Sequence, residues 1–95
     1  METYTKLELQ VLKNIRNSEY VDAEKPEELI GQPAWSFSIT NSHVGNNGYT
    51  PNQIKGGMSS CVKKRLIGWD NATNDDECCW LTEKGVQVLI ENSLF

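Results

Sequence analysis

Thr50-Pro51-Asn52-Gln53-Ile54-Lys55-Gly56-Gly57-Met58-Ser59-Ser60-Cys61-Val62-Lys63-Lys64-Arg65-Leu66-Ile67 contains a helix with its own start signal and a clear division into two faces. Thr50 is a capping residue, Pro51 suits a first helical position that needs no N–H, and Gln53 stands three residues after the cap, as in a capping box. Tyr49 and Ile54 complete a hydrophobic staple. Ile54, Met58, Cys61, Val62 and Leu66 recur at helical spacing and make the side that is buried. Asn52, Gln53, Lys55, Ser59, Ser60, Lys63 and Lys64 fall mainly outside it. The spacing predicts a helix over about 50–65, polar and basic on its free face. Gly56 and Gly57 are poor helix formers, about 1 kcal/mol each below Ala, so their presence suggests a close approach to another helix or to a ligand backbone.

Before this helix, Gly45-Asn46-Asn47-Gly48 is a turn signal. The preceding Ser36–Val44 stretch fits neither period well; its β-branched residues favour a strand, but a short helix capped by Ser36 agrees better with the turn and long helix after it. Further back, Lys25-Pro26-Glu27-Glu28-Leu29-Ile30-Gly31 reads as one helical turn within an ordered connector, in which Leu29, Ile30 and Trp35 need burial. The chain opens with a second capping box, Thr5-Lys6-Leu7-Glu8, stapled by Tyr4 and Leu9. Leu7, Val11, Leu12 and Ile15 then define a helix over about 5–19, with Lys13, Asn14 and Arg16 on its surface.

Beyond the basic helix, Leu66-Ile67-Gly68-Trp69 and Cys78-Cys79-Trp80-Leu81 read as two strands of a hairpin. Its long tip, Asp70 to Glu77, is polar and acidic. Thr82 caps a last helix, with Leu81 and Val86 as staple and Val86, Leu89 and Ile90 as apolar face. The whole makes one domain of 95 residues, mainly α with a small β-hairpin.

Charge divides the chain sharply. Its net charge is −4, yet residues 51–68 carry +4, while residues 1–50 carry −3, 69–81 carry −4 and 82–95 carry −1. An acidic protein with one basic helix is unusual for a nucleic-acid binder, which needs positive charge on at least one face.

The order helix, connector, short helix, turn, long helix, hairpin, helix is that of winged helix-turn-helix domains. Ser59 to Ile67 resembles the end of the recognition helix in MarR-like regulators and small phage-type winged helix proteins. Leu81-Thr82-Glu83-Lys84-Gly85 is similar to their strand-to-helix junction after the wing, and Leu7 to Leu12 to their opening helix. The resemblance spans about residues 5–90 and implies a three-helix core, a wing and a C-terminal helix. It also implies double-stranded DNA as partner, read by Thr50, Asn52, Gln53, Lys55, Gly56, Ser59, Ser60 and Lys63, with Lys63 and Lys64 as backbone anchors. Two features depart from it. Arg65 stands where such domains usually have Gly, and the wing offers Asp70, Asp75, Asp76 and Glu77 where a DNA-gripping wing offers Arg or Lys. The long helices through which MarR-like proteins dimerise are missing too, so a homodimer is possible but has no visible basis in the sequence. The acidic wing motivates an alternative: a protein-interaction module, such as a phage- or mobile-element-encoded inhibitor or adaptor, that binds a protein partner through those four carboxylates or through its acidic first half.

Other classes have little support. No nucleophile has a base and an orienting partner at a recognisable motif, so an enzyme is not expected. Three cysteines, two of them adjacent, and the single His43 do not make a zinc site, and the acidic tip lacks a calcium-loop pattern; no metal or cofactor is expected. Cys61, Cys78 and Cys79 read as small apolar residues, and Trp35, Trp69 and Trp80 as packing residues. No run suits a membrane span and the N-terminus has no secretory character, so the expected location is cytoplasmic.

Overall fold

The computed structural model describes residues 3–18, 21–41, 47–70 and 77–95. Among these the chain forms α1 (Lys6–Arg16), α2 (Pro26–Leu29), β1 (Ala34–Trp35), α3 (Ser36–Thr40), α4 (Pro51–Lys63), β2 (Ile67–Asp70), β3 (Cys78–Leu81) and α5 (Glu83–Glu91). The sheet is antiparallel in the order β1-β3-β2. Buried side chains from α1, α3, α4, α5 and the sheet pack as one apolar cluster, including Leu12, Ile15, Ile39, Ile54, Met58, Leu66, Leu81 and Leu89.

The three long helices start where local chemistry directs. Thr5 and Thr50 each accept from the N–H three residues on, and Glu8 and Gln53 reach back to complete both capping boxes. Thr82 caps α5 by accepting from the Gly85 N–H at 3.1 Å, and its hydroxyl also donates to the Arg65 and Leu66 carbonyls, tying the end of α4 to the start of α5. Gly85 is needed at that junction because a Cβ there would lie 2.1 Å from the Leu66 carbonyl oxygen.

Several sequence expectations change. The hairpin gains a third strand, since Ala34 and Trp35 pair with Cys79 and Cys78. Ser36 does not cap α3; Trp35 holds the cap position, and the Ser36 hydroxyl donates to the Glu77 carbonyl instead. The turn at Lys25–Gly31 does form α2 and buries Leu29, but Ile30 stays exposed. Asn14 is 1% exposed, not a surface residue. It accepts from Gln10 Nε2 at 2.8 Å and donates to the Ile39 carbonyl at 2.9 Å, while Asn47 donates to Gln10 at 3.2 Å. This buried polar ladder fixes α3, and the segment leading into α4, against α1. Val62 and Ile90 lie exposed at the edges of their helices' apolar faces, and Val88 is buried in α5. The tip of the hairpin, residues 71–76, and His43 lie outside the described residues.

Candidate nucleic-acid interface

Helix α4 divides cleanly. Ile54, Gly57, Met58 and Cys61 are buried, and Asn52, Lys55, Gly56, Ser59 and Lys63 are exposed along one stripe. Both rows follow the i, i+3, i+4, i+7 spacing that keeps residues on one helical face. Gly57 marks the contact with α1: a Cβ there would lie 2.9 Å from Leu7 Cγ and 3.0 Å from Val11 Cγ2. Gly56, one residue earlier, has nothing within 4 Å of such a Cβ. The pair therefore separates, one glycine admitting a neighbouring helix and the other leaving bare backbone at the surface.

The helix N-terminus is also exposed at Thr50, Asn52 and Gln53, although the side-chain oxygens of Thr50 and Gln53 are engaged in the capping box at 3.1 and 2.8 Å. No acidic residue stands in the first turn. Lys55, Lys63 and Arg65 are exposed, and their side chains meet no partner among the described residues.

Two expected contacts are turned inward. Lys64 Nζ lies 2.8 Å from Glu8 Oε1, donates to the Thr3 carbonyl at 2.9 Å and sits 5.5 Å from the centre of the Tyr4 ring. Ser60 donates to the other Glu8 oxygen. Lys64 and Ser60 thus secure α4 to α1, while both side chains remain partly exposed. Burial alone would push the Glu8 carboxyl up. The hydrogen bonds from Lys64, Ser60 and the Thr5 backbone, with the Lys64 charge, outweigh it and hold the group at about 2. Sequence reasoning saw Glu8 as a cap and missed this second role, which needs α4 to be laid beside α1.

The end of α4 is a left-handed stop. Arg65 takes φ 63°, its N–H donates to the Val62 carbonyl at 3.0 Å, and the Leu66 N–H donates to the Cys61 carbonyl at 2.9 Å. That is the Schellman pattern, normally closed by Gly. A non-glycine side chain there costs about 1–2 kcal/mol of local strain.

Beside α4 lies a cleft of about 280 Å³. Trp35, Phe37 and Trp69 supply its aromatic walls, and Lys55 and Glu77 face it from α4 and the hairpin. Trp35 is 46% exposed and Phe37 59%, with ring centres 5.3 Å apart and planes tilted by 36°. Trp35 is therefore not a core residue, whereas Trp69 packs partly against the core and Trp80 covers Gly68. Of the four wing carboxylates, Asp70 is exposed at the end of β2 and Glu77 half-buried before β3; Asp75 and Asp76 fall outside the described residues.

Cys61 and Cys79 are fully buried, and burial pushes both thiols up to about 12; Cys78 is half-buried. Among the described residues no three His, Cys, Asp or Glu side chains gather as a metal would require, and no helix is long and apolar enough to cross a membrane. Compared with family models, with curated proteins and with solved structures, the chain matches none of them.

Proposed function

We propose that the chain is a winged helix-turn-helix domain that binds double-stranded DNA in its major groove through α4. The observation that carries the reading is the exposed stripe Asn52–Lys55–Gly56–Ser59–Lys63, free of acids and continued by Arg65. Asn presents the donor and acceptor that match adenine's major-groove edge, and the bare backbone at Gly56 permits close approach. Lys55, Lys63 and Arg65 supply phosphate contacts; Lys64 belongs to the internal ion pair. In this reading α3 and α4 form the helix-turn-helix, β2 and β3 the wing, and β1 the strand that joins the wing to the body. Charge reversal tests it. Lys55→Glu and Lys63→Glu should each abolish binding to a mixed-sequence duplex at low salt while leaving the unfolding midpoint unchanged, since both side chains are exposed. Retained binding in both variants removes α4 from the interface.

A second reading is capture of a basic protein by Asp70, Asp75, Asp76 and Glu77, and the concentration of −4 in residues 69–81 favours it. It predicts the reverse pattern: Asn and Gln replacements at those four positions abolish partner capture, and the α4 variants do not.

A further inference from the structure

The aromatic pair beside α4 has no role in the fold that accounts for its exposure. Trp35 and Phe37 contact each other at the surface, and Lys55 of the α4 stripe faces the same cleft. We propose that this cleft takes a single unstacked nucleobase, so that the protein prefers DNA with an unpaired or easily flipped base next to its site. The proposal rests on the DNA-binding reading of α4 and specifies the form of DNA preferred.

Three observations converge on that ligand. At about 280 Å³ the cleft falls just below the ~300–1,000 Å³ of sites for drug-sized ligands, which suits one flat ring better than a larger molecule. A flat ring and an anion joined in one unit are what a Trp–Phe platform and a neighbouring lysine recognise together, and a nucleotide has both. Glu77 also lines the cleft; in the proposal its carboxylate, which repels phosphate and can accept from an exocyclic amino group, would place the phosphate at Lys55 and favour cytosine or adenine over thymine.

Base stacking also answers a shortage of cations. Among the described residues, Lys55, Lys63 and Arg65 are the exposed cations on this face, in a chain of net charge −4. Stacking on an aromatic side chain adds about 5- to 150-fold per base with little dependence on salt, which compensates for few phosphate contacts.

The test uses three labelled DNAs of one mixed sequence: fully paired, with a short central run of unpaired cytosines, and with the same run as thymines. Affinity and tryptophan fluorescence are followed for the wild type and for Trp35→Ala/Phe37→Ala, whose exposed side chains can be removed without opening the core. The proposal expects the cytosine form to bind at least about 5-fold tighter than the paired duplex, with fluorescence quenched. The thymine form should gain less. The double variant should lose the preference and keep its duplex affinity. Equal binding of paired and unpaired forms, or a preference that survives in the double variant, overturns the proposal while the duplex reading stands. Failure to bind any of the three overturns both. Loss of a protein partner in the double variant with all DNA binding unchanged assigns the pair to a protein interface and also overturns it.

Discussion

Arg65 and Glu8 show how single residues shape the end of α4 and its seating on α1. Arg65 occupies a left-handed position that glycine would hold without strain. Replacing it by Gly should raise stability by about 1 kcal/mol, seen as a later urea midpoint with unchanged slope. If Arg65 contacts phosphate, the same variant should bind DNA more weakly, so stability and affinity move in opposite directions. Glu8 acts through its ionisation. Its carboxyl is lowered from 4.5 to about 2, so the stability it contributes is fully present above about pH 4.5 and is lost as pH falls toward 2. Glu8→Gln should flatten the acid limb of the stability curve over that window, and an unchanged limb would mean that the ion pair with Lys64 contributes nothing. Glu8→Gln should also weaken the seating of α4 on α1, because the charge is lost and one of the two oxygens that accept from Lys64 and Ser60 becomes an amide donor.

At the scale of elements, α4 carries two adjacent glycines with opposite duties. Gly57→Ala should destabilise by about 1–3 kcal/mol, because Leu7 and Val11 must move, even though Ala is the better helix former. Gly56→Ala meets nothing and should stabilise by about 0.5–1 kcal/mol, yet weaken DNA binding if backbone approaches backbone there. Thermal or urea unfolding of the two variants separates these effects. The starts of α1, α4 and α5 and most of the two faces of α4 were legible because caps, staples and periodicity act within a few residues, whereas the cap of α3 and the exposure of Val62 were not. Strand β1 was not: two residues become a strand only because Cys78 and Cys79 lie opposite them. The burial of Asn14 was not legible either, since the element that covers it is fixed by its bond to the Ile39 carbonyl, 25 residues away. In the candidate site, the exposed stripe could be read from spacing. The inward turn of Ser60 and Lys64 could not, because it depends on Glu8 from another helix. The exposure of Trp35 and Phe37 ran against composition, which argues for burying such residues.

For the whole molecule the governing quantity is charge. A chain of net −4 repels DNA at long range, so the proposed binding would have to rest on a few local cations and on contacts indifferent to salt. In the DNA-binding reading, the exposed Lys55, Lys63 and Arg65 would make about three phosphate contacts, which corresponds to a slope of log affinity against log salt near −2.7. The most direct measurement is therefore titration of the protein into labelled mixed-sequence duplex between roughly 50 and 200 mM salt. DNA binding through α4 predicts an affinity that falls about 40-fold over that range, with the slope shallower by about one unit in Lys63→Ala. No binding at the lower salt, or a slope that Lys63→Ala leaves unchanged, contradicts it.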